Sequence, residues 1–269
     1  MEKKINLIIF TDLDGSLLHR ETFQFESIRS YIHKLINFGI ILIPNSSKTI
    51  KELELFNIEL KKNLAIIGEN GSIVNNLDLI NPNFPNQIIL SREKNEIIKI
   101  FKERMPVNLK NKCHLINRMS LKKKSKILGL KGKKLQLALS REYSIPFVFD
   151  GNNIEKKLLN KSIKKMGLSL HEGGRVINLC DRVSKALAMK KVVKIIRKIN
   201  KDKLLTIAVG DNYNDLDMLK ASNIPCLVFN DKFKKDKINI KNCLVSKKSS
   251  PEGWQEVVKM ALDKVNIKV

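Results

Sequence analysis

Short apolar strands that alternate with amphipathic helices constrain the fold of this chain more than any other feature. The segments Ile5–Phe10, Ile40–Ile43 and Leu64–Ile67 are apolar at successive positions, which is typical of central parallel strands covered by helices on both faces. Apolar residues recur with helical spacing over Ile28–Ile36, and Gly39 ends that helix. This order predicts a doubly wound, Rossmann-like α/β core with functional groups at the carboxyl ends of its parallel strands.

The middle of the chain differs from the rest in composition and in its pattern of helices and strands, which indicates an inserted domain. Residues 81–86 are rich in Asn and Pro, as turns are, and Lys-rich helices with isolated strands follow to about residue 170. A long helix at Ser184–Ile199 and a buried strand at Leu204–Val209 then restore the α/β pattern. We predict a core formed by residues 1–80 and 171–269, and an inserted α+β domain formed by residues 81–170.

The formal net charge of +24 would ordinarily suggest nucleic acid or an anionic membrane as a partner. The densest basic segments are Lys122–Lys124 and Lys131–Lys134, and no aromatic residues interleave with them as a base-stacking surface requires. We interpret the charge as solvated surface and predict no nucleic-acid partner. Such a basic field would still attract a small polyanionic substrate.

Cysteine spacing and apolar run length exclude further classes of protein. The four cysteines form no CxxC pair and the four histidines no HExxH motif, so neither a disulfide framework nor a zinc site is predicted. Apolar runs such as Leu7–Phe10 fall far short of the roughly 20 residues that span a bilayer. We expect no membrane partner and a cytoplasmic location.

Two carboxylates follow the first strand at a spacing that suits a functional site. Asp12 and Asp14 lie two residues apart, and side chains repeat every two residues along a strand, so both can leave on the same side before Gly15 turns the chain. Two such carboxylates repel, which favours a bound hard cation or one raised pKa. The alternative is an acidic turn that caps the next helix.

A second acidic cluster follows the strand Leu204–Val209. Because parallel strands end at the same edge of a sheet, Asp211 and Asp215 are expected near the first pair of carboxylates. Asp215 alone could simply complement a helix dipole, but two strand-end acidic clusters in one chain favour a metal site. We predict an oxygen-rich Mg²⁺ site formed by Asp12, Asp14, Asp211 and Asp215.

Hydroxyl and ammonium groups lie between these acidic clusters in the sequence. The strand Ile40–Ile43 leads into Ser46–Thr49, and the helix at Ser184 places Lys185 in its first turn. Such groups suit a phosphoryl group, whose oxygens carry the charge of the transition state. Taken singly, helix capping and a solvated lysine would explain them. Together with four carboxylates they predict a phosphoryl-transfer site.

These segments, in this order, resemble the four motifs of the haloacid dehalogenase superfamily: Asp12–Ser16, Ser46, Lys185 and Gly210–Asp215. The resemblance runs nearly end to end, and the insertion resembles the type-B cap of the sugar-phosphatase branch. Ser16 and Ala186 replace the usual threonine and glycine, and neither change removes a ligand. Shorter segments are similar to mannosyl-3-phosphoglycerate phosphatases of that branch: Ser46–Thr49, Glu69–Gly71, Glu172–Arg175 and Pro251–Trp254.

The resemblance implies a two-step phosphatase mechanism. Asp12 would be the nucleophile that becomes an aspartyl phosphate, and Asp14 would protonate the leaving alkoxide and then activate water. Ser46 and Lys185 would hold the other phosphoryl oxygens. These four residues are the expected catalytic set.

The resemblance also implies how Mg²⁺ and the substrate are held. The ion would be bound by Asp12, the carbonyl oxygen of Asp14 and Asp211, while Asn214 and Asp215 would orient the metal shell and Lys185. Closure of the cap over the sugar would exclude bulk water. The expected substrate-binding residues are Ser47, Lys48, Asn70, Arg175 and Asn214.

The favoured substrate is mannosyl-3-phosphoglycerate, and the product would be mannosylglycerate, a compatible solute. Glucosyl-3-phosphoglycerate, sucrose phosphate or another sugar phosphate would fit the same chemistry, as would transfer of the phosphoryl group by a phosphomannomutase-like enzyme. A basic nucleic-acid-binding protein on an inactive phosphatase fold is the alternative from another class. The complete set of four motifs argues against it, and no oligomeric state is predicted.

Overall fold

The computed structural model describes residues 7–199, 204–231 and 240–269, so Ile5 and Asn6 of the first predicted strand lie outside the described residues. The strands are, in chain order, β1 Leu7–Thr11, β2 Ile41–Pro44, β3 Ile66–Gly68, β4 Ile73–Asn75, β5 Ile88–Ile89, β6 Cys113–Leu115, β7 Ser144–Phe149, β8 Leu168–Glu172, β9 Ile177–Asp181, β10 Leu205–Gly210, β11 Ile224–Leu227 and β12 Leu244–Val245. The helices are α1 Glu26–Phe38, α2 Ile50–Leu60, α3 Lys94–Arg104, α4 Val107–Lys110, α5 Leu121–Leu128, α6 Gly132–Leu139, α7 Asn153–Lys165, α8 Lys185–Ile199, α9 Leu216–Ala221 and α10 Glu252–Asp263.

Within these residues, five strands form a parallel sheet in the order β12-β11-β10-β1-β2. Alternate side chains of β1 enter two different apolar cores. Leu7 and Ile9 pack with α1, α2 and α10 on one face, while Ile8 and Phe10 pack with α8 and α9 on the other. Because helices cover both faces, β1 is apolar at each position from Leu7 to Phe10. The predicted doubly wound core is confirmed.

The third predicted strand does not continue the parallel sheet. β3 pairs antiparallel with β4, which pairs with β5, and an isolated bridge from Asn45 to Ile67 joins this small sheet to the end of β2. A tight turn at Glu69–Gly71 folds the chain straight back, so β3 hydrogen-bonds mainly with the strand that follows it. The predicted strand is present, but its predicted place in a single β-α-β-α-β sheet is wrong.

A second sheet, antiparallel and ordered β6-β7-β9-β8, forms the centre of the inserted segment. One face buries Ile145, Phe147 and Leu179 against α3, α4 and α7. The other face carries Ser144 opposite Cys180, and Asn178. We call this polar face the roof, because it lies across a cavity from the carboxyl edge of the parallel sheet.

The contacts at both ends of the insertion favour boundaries other than residues 81 and 170. Phe84 packs in the apolar core beside the parallel sheet, so the turn-rich residues 81–86 are a loop of the core rather than a linker. β9 pairs with β7 and β8, so Gly173–Gly174 lies between paired strands of the inserted sheet rather than at re-entry into the core. We therefore propose an inserted unit of about residues 91–182.

Arg92 and Asp181 form an ion pair between the two chain segments that connect the inserted unit to the core. Arg92 Nε donates to Asp181 Oδ2 at 2.9 Å, and Arg92 Nη2 donates to Asp181 Oδ1 at 2.7 Å. The Arg92 guanidinium holds the pKa of Asp181 down at about 2.

None of the helices in the described ranges combines the length and the apolar character needed to cross a membrane.

Candidate active site

A cavity of about 410 Å³ lies between the carboxyl edge of the parallel sheet and the roof, within the range of small-molecule sites. Side chains from the ends of β1 and β10 border it, as expected for an α/β sheet. We call this edge the floor; it comprises Asp12, Asp14, Lys185, Asp211 and Asp215. Of these, Asp12, Asp14 and Asp211 line the cavity, together with Arg20, Phe23, Ser47, Lys48, Arg141, Arg175, Asn178, Asn214 and Asn230.

Lys185 joins two carboxylates at the centre of the floor. Its Nζ lies 2.7 Å from Asp12 Oδ1 and 2.6 Å from Asp215 Oδ1, and its side chain is only 2% exposed. Burial by itself lowers the pKa of Lys185, but the carboxylates of Asp12 and Asp215 outweigh it and raise that pKa above its ordinary value. The ammonium therefore stays charged and holds one oxygen of Asp12 in place.

Asp215 also fixes the loop after β10. Its Oδ2 accepts hydrogen bonds from the backbone N–H groups of Asp211 and Asn212, each at 3.1 Å. Since Oδ1 contacts Lys185, both carboxylate oxygens of Asp215 are engaged by protein groups. Burial, opposed by the Lys185 ammonium, raises the pKa of Asp215.

Asp211 lies beside Asp12 and is held by several donors. Ser16 Oγ donates to its Oδ1 at 3.1 Å, and Asn230 Nδ2 donates to its Oδ2 at 3.0 Å. Arg20 forms an ion pair with the same carboxylate. Burial, followed by repulsion from Asp215 and Asp12, raises the pKa of Asp211, so this cluster favours a cation.

Asp14 faces the cavity and pairs with Lys48. Lys48 Nζ lies 2.9 Å from Asp14 Oδ2 and 3.7 Å from Glu52 Oε1. Desolvation raises the pKa of Asp14, while the neighbouring Lys48 ammonium acts in the opposite direction. Within the described residues Asp14 Oδ1 has no hydrogen-bond partner. Asp14 thus combines a raised pKa with a free oxygen.

Glycines at two turns let the backbone approach the floor closely. Gly15 has a φ of +86°, and a Cβ there would lie 2.8 Å from Asp211 Oδ2. Gly71 has a φ of +94°, and a Cβ there would lie 2.3 Å from the carbonyl oxygen of Ser184. A side chain at either position would displace Asp211 or the start of α8, which carries Lys185.

The phosphate-binding residues predicted after β2 are close to the floor. Ser46 is buried, and its backbone N–H donates to the carbonyl of Ile67 at 3.0 Å. Asn45 Nδ2 donates to the backbone carbonyl of Lys185 at 2.9 Å, which ties this loop to α8. Ser47 borders the cavity itself.

The predicted substrate-binding residues are only partly brought together. Lys48, Arg175 and Asn214 border the cavity, and Asn214 Oδ1 has no partner in the described part of the chain. Asn70 does not border it: the side chain is buried against Cys180 between the core and the inserted unit. Its φ of +61° lies in the tight turn after β3, which accounts for this placement.

Two residues that support the floor and the roof were not predicted from the sequence. Trp254 is fully buried and its Nε1 donates to Thr11 Oγ1 at 2.8 Å, directly beneath Asp12. Glu69 is also buried and accepts hydrogen bonds from the backbone N–H of Glu142 at 2.9 Å, the backbone N–H of Tyr143 at 3.1 Å and the hydroxyl of Ser144. Glu69 and Trp254 lie in segments that were noted only for their similarity to a known family. The sequence therefore marked these two segments but did not indicate what either residue does.

Arg20, Arg141, Asn178 and Asn230 were also overlooked. Each borders the cavity, and each comes from a loop or strand that no motif marks. A single basic or amide residue in a Lys- and Asn-rich chain carries no signal of its own.

The floor fits a hard divalent cation. One carboxylate oxygen from each of Asp12, Asp211 and Asp215 can lie within 4.8 Å of the others, and all three side chains are buried. Oxygen-only donors without histidine or thiolate suit Mg²⁺ better than zinc. The side chain of Asp14 is outside this group because it pairs with Lys48. Protein donors engage both oxygens of Asp215 and both oxygens of Asp211, so a bound cation would have to share these carboxylates with Lys185 and Arg20.

The chain belongs to the haloacid dehalogenase-like hydrolase family, whose profile matches residues 9–241. The predicted resemblance is confirmed. A glucosyl-3-phosphoglycerate/mannosyl-3-phosphoglycerate phosphatase from Persephonella marina is 28% identical over 271 residues, covering 96% of this chain and 98% of its own. A phosphatase of the same name from Methanococcoides burtonii is 28% identical over 268 residues with the same coverage. The predicted enzyme class, a phosphoric monoester hydrolase, is confirmed.

Solved structures agree with the fold. A phosphatase of the haloalkanoate (HAD) enzyme superfamily from Bacteroides thetaiotaomicron matches with a TM-score of 0.69 at 17% identity, covering 98% of this chain and 96% of its own. The sucrose-phosphatase from Synechocystis, solved with sucrose and phosphate, matches with a TM-score of 0.61 at 10% identity, covering 98% and 99%. The predicted α/β core with an inserted unit is confirmed.

Proposed function

We propose that this protein is a Mg²⁺-dependent phosphatase that hydrolyses mannosyl-3-phosphoglycerate to mannosylglycerate and phosphate through an aspartyl phosphate. The observation that carries the proposal is the floor. A buried lysine holds Asp12 at 2.7 Å, and Asp14 faces the same cavity with a raised pKa. This arrangement offers a fixed nucleophile and a proton donor on one side of a substrate-sized cavity.

Asp12 is the proposed nucleophile. Lys185 holds Oδ1 in place, so Oδ2 attacks the phosphorus atom in line with the leaving oxygen. Thr11 and Trp254 hold the backbone below the nucleophile through the hydrogen bond between their side chains. Ser46 and Lys185 bind phosphoryl oxygens as their charge increases, which stabilises the transition state.

Asp14 is the proposed general acid and base. Desolvation raises its pKa, which keeps a proton available for the leaving alkoxide. Once the alkoxide has left with that proton, the Asp14 carboxylate removes a proton from the water that attacks the aspartyl phosphate. The Lys48 ammonium, 2.9 Å away, stabilises the ionised form between the two steps.

Asp12, Asp211 and the carbonyl oxygen of Asp14 would hold Mg²⁺, with Asp215 as a support for Lys185 and the β10 loop. When bound, the ion supplies positive charge that offsets the repulsion between the nucleophile and the phosphate dianion. Burial, followed by repulsion between neighbouring carboxylates, raises the pKa values of Asp211 and Asp215, and a bound cation would stabilise their ionised forms.

The substrate class is proposed from two observations. The relatives from Persephonella marina and Methanococcoides burtonii carry the names of phosphatases for glucosyl- and mannosyl-3-phosphoglycerate. The cavity also brings together several cations, among them Lys48, Arg141 and Arg175, which suits a substrate with a carboxylate as well as a phosphate. Glucosyl-3-phosphoglycerate is the nearest alternative substrate.

A panel of phosphate esters assayed with Mg²⁺ tests the proposal. We expect the highest kcat/KM on mannosyl-3-phosphoglycerate, a comparable value on glucosyl-3-phosphoglycerate, and lower values on sucrose phosphate and hexose phosphates. Preference for a substrate without a carboxylate would contradict the proposed substrate class. Phosphate transferred to a second sugar hydroxyl instead of released would indicate a mutase.

Salt-dependent binding to DNA or RNA without phosphatase turnover would favour the nucleic-acid alternative. The absence of a nucleic-acid partner and the cytoplasmic location stay predictions.

A further inference from the structure

The roof contributes an arginine that no motif marks. Arg141 lies just before β7 and borders the cavity. Its Nη1 donates to the backbone carbonyl of Ser47 at 2.9 Å and to Ser144 Oγ at 3.0 Å. Because Ser47 follows the proposed phosphate ligand Ser46, these bonds place the guanidinium beside the phosphate-binding loop.

A buried network holds this arginine in position. Ser144 donates its hydroxyl proton to Glu69, which also accepts the backbone N–H groups of Glu142 and Tyr143. The segment that carries Arg141 is therefore attached to the core loop after β3. An arginine fixed at one end loses less rotamer freedom when its other donors bind a ligand.

The rest of the guanidinium is available to a ligand. Among the described residues, no carboxylate forms an ion pair with Arg141, and its Nε and Nη2 donate to no protein acceptor. Lys48 and Lys185, by contrast, are neutralised by carboxylates of the floor. A partly buried arginine with no counter-ion favours binding of an anion.

Asn178 adds a second unsatisfied group on the same roof. Its side chain is 3% exposed and borders the cavity. Over the ranges that the structure describes, its Oδ1 has no hydrogen-bond partner. A buried amide without a partner is costly, so its position at the cavity indicates a polar ligand group there.

We propose that Arg141 binds the carboxylate of the substrate in bidentate fashion while the floor binds the phosphate, with Asn178 accepting a hydroxyl group beside it. This inference rests on the proposed function. The glycerate backbone that separates the carboxylate from the phosphate ester is short, so the carboxylate must lie close to the phosphate-binding loop. Arg141 contacts that loop through Ser47.

Arg175, the residue predicted from sequence for this role, is placed differently. It is exposed, hydrogen-bonds to the carbonyl of Leu128 and lies over the ring of Phe23 with its guanidinium carbon 5.7 Å from the centroid. These contacts place it against the end of α5 and against Phe23, and none of them is with Ser47.

The experiment measures kcat/KM for mannosyl-3-phosphoglycerate and for its methyl ester, which differ only in the charge of the carboxyl group. We expect wild type to prefer the acid by roughly 30- to 100-fold. Arg141→Gln should remove that preference by lowering kcat/KM on the acid alone, and Arg141→Lys should keep part of it. A merely structural role for Arg141 would lower both values together.

Two further variants serve as controls in the same assay. Arg175→Lys should leave the preference for the acid within about twofold of wild type, and Arg104→Lys, on an exposed position of α3, should change nothing. A preference that vanishes in Arg175→Lys but survives in Arg141→Gln would overturn the assignment.

A measurement on wild type covers the case in which the Arg141 variants do not fold. Arginine-selective modification with phenylglyoxal, mapped by mass spectrometry, should be slowed at Arg141 by the carboxylate product mannosylglycerate and unaffected by its methyl ester. Equal protection by both, or none, would overturn the inference. If wild type hydrolyses neither the acid nor the ester, the proposed function itself has failed.

Discussion

The floor and the roof of the cavity satisfy their polar groups in opposite ways. On the floor, Lys185 contacts two carboxylates and Lys48 contacts Asp14, so each of these cations has an anionic partner from the chain itself. On the roof, Arg141 has no carboxylate partner and Asn178 Oδ1 no hydrogen-bond partner within the described residues. The cations beside the floor are therefore paired with carboxylates before a substrate binds, and Arg141 on the roof is not.

This difference corresponds to two tasks. A group that acts on the phosphate must be oriented before the substrate arrives, because reorganisation during the reaction costs rate. A group that distinguishes substrates gains from bonds that only the right ligand completes. The floor therefore suits chemistry common to every phosphate ester, and the roof suits discrimination among them.

We expect the largest effect from a substitution of Asp12, the proposed nucleophile on the floor. Asp12→Asn should lower kcat on every phosphate ester by roughly 10⁴-fold, because the amide keeps the shape but is not an anionic nucleophile. Asn can still accept the hydrogen bond from Lys185, so the protein should fold. Steady-state kinetics with circular dichroism measures both, and Asp217→Asn, exposed on α9, is the matched control. Activity near wild type would contradict the assignment of Asp12.

Removal of divalent metal tests the floor as a whole. EDTA should abolish turnover on all substrates alike and added Mg²⁺ should restore it, because Asp12 and Asp211 offer only oxygen ligands. A zinc-selective chelator should have no effect. Full turnover in metal-free buffer would show that these carboxylates serve another purpose.

A smaller effect is expected where the floor and the roof are joined. Glu69→Gln places an amide donor against the backbone N–H of Tyr143 and the hydroxyl of Ser144, which should destabilise the protein by about 2 kcal/mol. Because Arg141 depends on this network, KM for mannosyl-3-phosphoglycerate should rise severalfold, while kcat on a small aryl phosphate should change little. Thermal melts and kinetics measure the two effects, with Glu142→Gln as the exposed control. Equal loss on both substrates would mean that Glu69 supports the floor as well.

The smallest effect concerns the ion pair at the base of the inserted unit. Asp181 has its pKa lowered to about 2 by Arg92, so its stabilising effect is full above the ordinary carboxyl pKa of about 4 and is lost as the pH falls towards 2. Asp181→Asn should therefore lower stability by roughly 1 kcal/mol at pH 7 and by less at pH 3. Melting curves at both pH values check this. The control is Glu172→Gln, which removes an exposed pair with Lys156, and a loss at pH 3 as large as at pH 7 would contradict the prediction.

Much of the core could be predicted from sequence because its signals are local. The end of β1 and both ends of α1 and β10 lie within two residues of their predicted positions, since burial on both faces of a strand and one face of a helix leaves a periodic pattern. The meeting of Asp12 with Asp211 followed from one rule, that parallel strands end at one edge. The position of β3 was missed because its partner depended on how tightly the chain turned at Glu69–Gly71.

The roof could not be predicted in the same way. Arg141, Asn178 and Glu69 lie far apart in the sequence. The antiparallel pairing of β7 with β9 brings Arg141 and Asn178 to one cavity, and Glu69 attaches the segment of Arg141 to the core. A strand of such a sheet can present either face to the core, and one shift in register would exchange them.

The sequence by itself determined the doubly wound core and the acidic floor, because periodicity and strand-end positions encode them over a few consecutive residues. The family followed from the resemblance of four short motifs to a known superfamily. Only the tertiary structure decided that Arg92 and Asp181 close the inserted unit, that Asn70 lies outside the cavity, and that Arg141 keeps a free face beside the phosphate-binding loop. The physical reason is that hydrogen bonds and ion pairs between distant segments depend on where whole elements pack. No short stretch of sequence carries that information.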